Sequence, residues 1–158
     1  MSLIKNPDEI SSCRRTLKLT VQFAVDKTGI PGRQLFRKWV KAALAEPAEI
    51  VIRIVDLAEG EALNCKFRSK HSATNVLTFV YHSDTPLVGD IVLCAPVVHR
   101  EAEQQCKDLM AHYAHLTVHG VLHLQGYDHM NDEDAAVMES LETKIITGLN
   151  YPDPYVIQ

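Results

Sequence analysis

Apolar and polar residues alternate, or β-branched residues run together, in four stretches of the chain, and apolar residues recur at helical spacing in five others. The first pattern is typical of strands, and a repeat of three to four residues is typical of amphipathic helices. We therefore expect strands at residues 16–22, 49–57, 75–81 and 87–94. We expect helices at residues 33–45, 58–67, 96–105, 109–125 and 132–148.

The order of these elements predicts the class of fold. It is strand, helix, strand, helix, strand, strand and then three helices, which is typical of an α+β protein. A chain of 158 residues suits one domain with a substantial core. We therefore predict a single domain over residues 1–158, in which a small mixed sheet packs against several helices. The apolar repeat of the last helix predicts an inward face of Ala135, Met138, Leu141, Ile145 and Leu149.

The charge of the chain is mildly acidic but unevenly distributed. A net charge of −4 does not by itself favour a nucleic-acid binder. Lys66, Arg68, Lys70 and His71 nevertheless fall in one short segment, so a basic face on an acidic protein is compatible with the composition. No apolar run approaches the length of a membrane span, and we expect no association with a membrane.

The cysteines indicate a reducing compartment. Cys13, Cys65, Cys94 and Cys106 are far apart and form no Cys-x-x-Cys pair, which favours free thiols over a disulfide framework. Residues 1–7 contain no charged leader followed by an apolar stretch. We therefore expect a cytoplasmic protein, in which Cys94 is a small core residue within its apolar run.

Three histidines in residues 119–129 carry the clearest chemistry. Residues four apart lie on one face of a helix, so His119 and His123 can share one metal ion. Gly126 tolerates the left-handed conformation that ends a helix, and the reversed chain can bring His129 to the same ion. Three imidazoles leave a tetrahedral zinc one open position, which is typical of a catalytic site. We therefore predict a metal site at the C-terminal end of the long helix.

Gly120 separates this motif from the zinc proteases that share its spacing. In those enzymes the residue after the first histidine is the glutamate general base. This chain has glycine there, which disfavours peptide hydrolysis by that mechanism. The missing side chain also predicts space beside the metal for a larger or more charged substrate.

Other polar residues near the motif have two interpretations each. His112 and His115 extend the same helical face, but His115 lies about 12 Å along the helix from His123, too far to share its ion. Both are either polar positions of the helix or partners of the ligands. Asp128 can orient an imidazole or cap the turn. Asp90 follows a glycine in a strand and can either support the site or form a turn.

Four segments of the chain together resemble one family. Residues 119–129 read HGVLHLQGYDH and closely resemble the signature of the YbeY endoribonucleases, which mature ribosomal RNA. Residues 63–79, 87–91 and 148–155 resemble further blocks of that family, in the same order. In and directly after residues 63–79 the chain departs from the family's usual residues at His71, Ala73, Thr78 and Val80.

The resemblance implies a zinc-dependent endoribonuclease that binds one Zn²⁺ per chain through His119, His123 and His129. It implies catalytic roles for Arg68 and His119, and it makes Lys66 and Lys70 candidates for RNA contacts. The planar, permanently charged guanidinium of Arg68 suits a phosphate, while zinc acidifies water and polarises a phosphoryl oxygen. The attacking group is left open between a metal-bound water and the RNA's own 2′-hydroxyl.

The resemblance also implies a biological setting. The expected activity is cleavage of single-stranded RNA during maturation of the 3′ end of 16S ribosomal RNA and in ribosome quality control. The expected partners are ribosomal RNA, the small ribosomal subunit and ribosome-assembly proteins. Two alternatives stay open. One is a metallohydrolase that acts on another substrate class, such as a peptide or a small ester, and the other is a non-catalytic ribosome-binding factor with a structural zinc.

Overall fold

The sheet at the centre of the fold contains three parallel strands and one antiparallel strand. A computed structural model describes residues 16–68 and 73–156 of the chain. Within these ranges the strands are β1 (Leu17–Phe23), β2 (Ala48–Val55), β3 (Val76–His82) and β4 (Leu87–Cys94). Their order across the sheet is β1-β2-β4-β3. β2 pairs in parallel with β1 and β4, and β3 pairs antiparallel with β4 and forms one edge.

Helices cover the sheet, and their first turns carry recognisable start signals. Within the described ranges they are α1 (Arg33–Ala43), α2 (Leu57–Arg68), α3 (Ala95–Gln104), α4 (Leu109–Leu124) and α5 (Asp132–Gly148). Asp108 accepts a hydrogen bond from the amide of Ala111 at the start of α4. Asn131 accepts one from the amide of Asp134 at the start of α5. Both side chains satisfy amides that a helix leaves unpaired, so they fix where each helix begins.

One face of the sheet carries the main core. Alternate residues of β2, Ile50, Ile52 and Ile54, are fully or almost fully buried on this face. They belong to one cluster with Trp39 of α1 and Tyr113 of α4. Burial of large apolar side chains is the main favourable term in folding. It therefore holds α1 and α4 against this face of the sheet.

The opposite face carries a smaller cluster under α2. Val55, Leu77 and Val92 are buried there, and Leu63 of α2 packs against them. Cys94 is buried in the same cluster, as predicted. Cys94 and Cys106 are free thiols, Cys65 is exposed, and Cys13 lies outside the described residues.

The α+β class and the order of the elements are confirmed. Each predicted strand or helix begins and ends within two residues of the observed one. The predicted inward face of α5 is confirmed for Met138, and Leu141, Ile145 and Leu149 pack partly buried against the core. The face is offset, because the fully buried row continues through Glu142 and Ile146, which the prediction did not include. No helix in the described ranges is long and apolar enough to cross a membrane.

Gly89 in β4 lies where the strand and α4 approach closely, and we expect Gly89→Ala to destabilise the protein. An added Cβ would lie 2.8 Å from Cδ2 of Leu124 and 2.9 Å from the carbonyl oxygen of Phe79. Overpacking of this kind lowers the free energy of unfolding by about 1–3 kcal/mol, which urea denaturation measures. Gly148→Ala is the matched control, because nothing lies within 4 Å of its added Cβ. Equal stabilities of the Gly89→Ala variant and the wild type would contradict this packing.

Candidate metal centre

The chain reverses direction directly after α4, and this reversal places the third histidine of the motif. Gly126 has a φ of +99°, a left-handed conformation that glycine adopts without strain. The amide of Gly126 donates to the carbonyl of His123, and the amide of Tyr127 donates to the carbonyl of Leu122. These bonds satisfy carbonyls at the end of the helix. His129 then lies in the turn that leads to α5.

Gln125 attaches the end of α4 to the end of α1. Its Nε2 donates to the carbonyl of Ala43 at 2.8 Å, and its Oε1 accepts from the amide of Ala45 at 2.9 Å. An amide side chain that makes both bonds holds two backbone segments at a fixed separation. The helix end that carries the histidines is therefore anchored to the rest of the fold.

His119, His123 and His129 converge on one point. One nitrogen from each ring lies within 4.8 Å of the others, and the ring centroids are 4.6–5.7 Å apart. Nitrogen ligands lie about 2 Å from zinc, which places them roughly 3.4 Å apart around a tetrahedral ion. The exposed ring of His129 can move to close the remaining gap. The three histidines therefore fit one metal ion.

The environment of His123 favours the neutral ring that a metal requires. Its side chain is half-buried. Burial, followed by the charge on neighbouring His119, lowers the pKa of His123, although Asp128 acts in the opposite direction. Because a metal binds only the deprotonated nitrogen, this shift keeps His123 available near neutral pH.

Asp128 contacts His129 both through the backbone and through the ring. Its Oδ1 accepts from the amide of His129 at 2.7 Å and lies 3.5 Å from the ring Nδ1. The side chains of His129 and Asp128 are 56% and 48% exposed. Because the contact with the backbone amide is the shorter one, Asp128 acts mainly on the turn and only weakly on the ring.

Glu142 of α5 is a buried acid beside His119 that our sequence analysis did not identify as a site residue. Its side chain has no exposed surface. Its carboxylate contacts the ring Nδ1 of His119, the ring Nε2 of His115 at 3.0 Å and the hydroxyl of Tyr155. Burial alone would raise the pKa of the Glu142 carboxyl, but these three hydrogen bonds outweigh it and lower the pKa to about 2. Glu142 is therefore an ionised acceptor at neutral pH, and its three neighbours donate.

A signal for Glu142 is nevertheless present in the sequence. It lies four residues after Met138 and four before Ile146, in the middle of the buried row of α5. Glutamate is almost never fully buried unless it is paired. This pattern indicates a buried acid with a hydrogen-bonding partner, but it does not say which residue the partner is.

The two other histidines of α4 lie outside the cluster. His115 donates to Glu142, so it contacts the cluster through that carboxylate. His112 is 4% exposed, and its Nε2 lies 3.2 Å from Oε1 of Glu101. The placement of His115 therefore agrees with a supporting role, and that of His112 with a structural position in the helix.

Gly120 faces the sheet and not the metal cluster. A Cβ at this position would lie 3.2 Å from two side-chain carbons of Ile91. The prediction that the missing side chain leaves space for a substrate is wrong, because α4 uses that space to approach β4. A side chain at this position would begin against Ile91 of β4.

Asp90 lies on the sheet face that points away from the histidines. Its neighbours along β4, Gly89 and Ile91, face α4, and successive side chains of a strand point to opposite faces. The carboxylate of Asp90 accepts a hydrogen bond from the hydroxyl of Tyr81 at 2.8 Å. Both interpretations of Asp90, as a turn residue and as support for the ligands, are therefore wrong, because it lies within a continuous strand on the other face.

Arg68 is exposed at the end of α2, beside the edge strand β3. Its Nη2 donates to the carbonyl oxygen of Thr78 at 3.4 Å. β3 also contacts α4, so this edge strand lies between Arg68 and the helix that carries two of the histidines. Lys66 is exposed as well, with its ammonium 5.2 Å from the centroid of the Phe67 ring. Lys70 lies outside the described residues, and contact of either lysine with RNA stays a prediction.

The fold and the cluster together define an α+β protein with a partly exposed three-histidine centre at the end of a long helix. A family model described as Endoribonuclease YbeY matches residues 21–150. With most of its length covered by this match, the chain belongs to the YbeY family.

Individual relatives agree with this assignment. The chain is 81% identical over 140 residues to a Nitrosomonas eutropha protein named Endoribonuclease YbeY, covering 89% of this chain and 99% of the relative. It is 72% identical over 158 residues to a protein of the same name from Nitrosomonas europaea, covering 100% of this chain and 96% of the relative. Its fold is similar to the solution structure of TM1509 from Thermotoga maritima, with a TM-score of 0.55 and 21% identity over 89% of this chain and 99% of that chain.

Proposed function

We propose that this protein is a zinc-dependent endoribonuclease that acts on ribosomal RNA. The observation that carries the proposal is the convergence of three histidines in a chain of the YbeY family, whose relatives are named endoribonucleases. Zinc is the proposed ion because three imidazoles are a common catalytic zinc site and the cluster contains no redox-tuning ligand.

The exposure of the cluster supports a catalytic role for the metal. Structural zinc sites are closed by four protein ligands. Among the described residues this cluster contains three donors, and the side chain of His129 is 56% exposed. A substrate oxygen can therefore reach the ion, and this accessibility favours the enzyme over a ribosome-binding factor with a structural zinc.

Arg68 is the proposed phosphate-binding residue. When bound, zinc supplies a Lewis acid that polarises a phosphoryl oxygen and acidifies water. Arg68 adds a permanent charge and a planar fork of donors, which match the oxygens of a phosphate. Its exposed position beside β3, the strand that also contacts α4, supports its access to the same RNA backbone. In this proposal Arg68 stabilises the negative charge that develops on the phosphate during cleavage.

Removing the metal is expected to stop RNA cleavage and restoring it to recover the activity. Loss of a single electrostatic contact to developing charge costs about 100-fold to 1,000-fold in rate. We therefore expect chelation to slow cleavage of a single-stranded ribosomal RNA oligonucleotide at least 100-fold. The measurement combines metal content, cleavage rate after dialysis against a chelator, and cleavage rate after addition of one equivalent of zinc. Cleavage that persists in the metal-free protein would overturn the proposal.

The finer features of the activity are part of the same proposal. We assign the protein to cytoplasmic maturation of the 3′ end of 16S ribosomal RNA on the small subunit, with ribosome-assembly proteins as partners and a role in ribosome quality control. A duplex holds its backbone in one A-form geometry, whereas a single strand can adapt to both Arg68 and the metal. Annealing the oligonucleotide to its complement measures this strand preference. The product ends separate the two routes of attack, because the 2′-hydroxyl leaves a cyclic phosphate and water leaves a phosphate monoester.

A further inference from the structure

The three histidines of the cluster are held to different degrees by the rest of the protein. The ring of His119 contacts the fully buried carboxylate of Glu142. Besides the rings of the two other histidines, the ring of His129 contacts, within the described residues, the exposed Asp128 at 3.5 Å. Within the described part of the chain, the ring of His123 contacts the two other histidines but makes no side-chain hydrogen bond. His119 is therefore the ligand whose orientation is fixed from the protein interior.

The contact between His119 and Glu142 also selects the ring nitrogen that a metal can use. The carboxyl group of Glu142 occupies the Nδ1 of His119, so this nitrogen faces the protein interior and not the cluster. The other nitrogen, Nε2, then has a free lone pair for a metal. Carboxylates that hold metal-binding histidines in this way fix both the tautomer and the orientation of the ring.

Tyr155 completes the surroundings of Glu142 from a separate part of the chain. It lies in the C-terminal tail, residues 150–156, which follows α5, and its hydroxyl donates to the carboxylate. Three contacts hold this tail in place. The ring of Tyr151 packs on Trp39 of α1, the hydroxyl of Thr143 of α5 donates to Asp153, and the ammonium of Lys107, in the loop between α3 and α4, donates to the carbonyl of Pro154. A buried carboxyl group needs hydrogen bonds to its oxygens, so Tyr155 helps to hold Glu142 in place against His119.

We propose that Glu142 and Tyr155 are positioning residues for His119, and that the C-terminal tail is therefore part of the metal centre. The inference rests on the proposed metal binding by the three histidines, but not on the identity of the RNA substrate. A purely structural role would make the two residues important for folding alone. If they position His119, replacing either residue lowers the metal affinity by more than the accompanying loss of stability explains.

Zinc affinity and the tautomer of His119 together test this inference. Glu142→Gln keeps the size of the side chain but replaces one acceptor oxygen with a donor, and we expect it to weaken zinc binding about 10-fold to 100-fold. Tyr155→Phe removes one hydrogen bond to the carboxylate and should weaken zinc binding roughly threefold to tenfold. The measurements are competition with a chromophoric chelator for zinc and nitrogen-15 NMR of the imidazole rings. The melting temperature of each metal-free variant reports its stability.

Matched controls separate positioning from general damage. Glu139→Gln removes an exposed acid from the same helix, and Tyr81→Phe removes a tyrosine hydrogen bond to Asp90 on the other sheet face. Both should bind zinc within about twofold of the wild type. Tyr155→Phe carries the test if Glu142→Gln does not fold. The inference is supported if the proton on Nδ1 of His119 shifts or exchanges faster in the positioning variants while the controls are unchanged.

Two results would overturn the inference. One is that Tyr155→Phe, and Glu142→Gln if it folds, bind zinc with the affinity of the wild type. The other is a loss of zinc-binding free energy no larger than the loss in the free energy of unfolding of the metal-free protein, with the tautomer of His119 unchanged. A wild-type protein that binds zinc with this dependence but cleaves no RNA leaves the inference standing and refutes the proposed function. A wild-type protein that takes up no zinc refutes both.

Discussion

Replacing His123 with alanine is expected to abolish zinc binding and RNA cleavage together, without destabilising the metal-free protein. The apparent binding free energy of a four-ligand zinc site is about 10–16 kcal/mol, or roughly 3 kcal/mol per ligand, so losing one ligand weakens binding more than 100-fold. The ring of His123 makes no side-chain hydrogen bond within the described residues, so its removal leaves no buried partner unpaired. Zinc content, cleavage rate and the metal-free melting temperature measure the three effects.

His119→Ala provides an informative comparison. It should abolish zinc binding and cleavage to the same extent, but it also leaves the buried carboxylate of Glu142 with one donor fewer. An unsatisfied buried charge costs about 1–3 kcal/mol or more, so the metal-free His119→Ala protein should be the less stable of the two. His82→Ala, at the exposed end of β3, is the control and should keep the bound zinc. Full zinc occupancy in the His123→Ala protein would contradict the assignment of the cluster.

Arg68→Ala is expected to retain zinc and lose most of the cleavage activity. If Arg68 binds the scissile phosphate, its loss should lower the rate of cleavage about 100-fold to 1,000-fold. The side chain is exposed and, among the described residues, makes one long hydrogen bond, to Thr78, so the stability should change by no more than about 0.5 kcal/mol. Zinc binding, stability and single-turnover cleavage rates of the same preparation test the three expectations.

Two further variants sharpen the test of Arg68. Arg68→Lys keeps the positive charge but loses the planar fork of donors, and we expect its rate to lie between those of the wild type and Arg68→Ala. Arg33→Ala removes an exposed arginine from the start of α1, in a different helix, and should cleave as the wild type does. Cleavage by Arg68→Ala at the wild-type rate would remove Arg68 from the proposed active site.

The extent of sequence-based prediction is clearest in α5. Its bounds follow from local signals, since Asn131 caps its start and its apolar repeat continues to Gly148. The predicted inner face was offset, because the prediction counted apolar residues only. Glu142 occupies the middle of the buried row, and its burial depends on donors from α4 and from the tail. Periodicity along one helix contains no information about such partners.

Gly120 and Asp90 show the same limit at the sheet. Both were interpreted from their neighbours in sequence. Gly120 was interpreted as space beside the metal, and Asp90 as a turn residue or as support for the ligands. Their side-chain directions depend on which face of α4 packs on β4 and on the alternation of faces along the strand. Those directions are set by the packing of a helix on a sheet, which only the tertiary structure shows.

The sequence by itself determined the elements, their order and the grouping of three histidines. These depend on short-range rules: hydrophobic periodicity, residues four apart on a helix, and a glycine that ends it. Only the tertiary structure decided how the grouping is supported. It brought Glu142 from α5 and Tyr155 from the tail to His119, and it placed Arg68 beside the edge strand that α4 contacts. Residues far apart in sequence meet because burial of the shared core fixes the relative positions of the helices, and no local pattern records those positions.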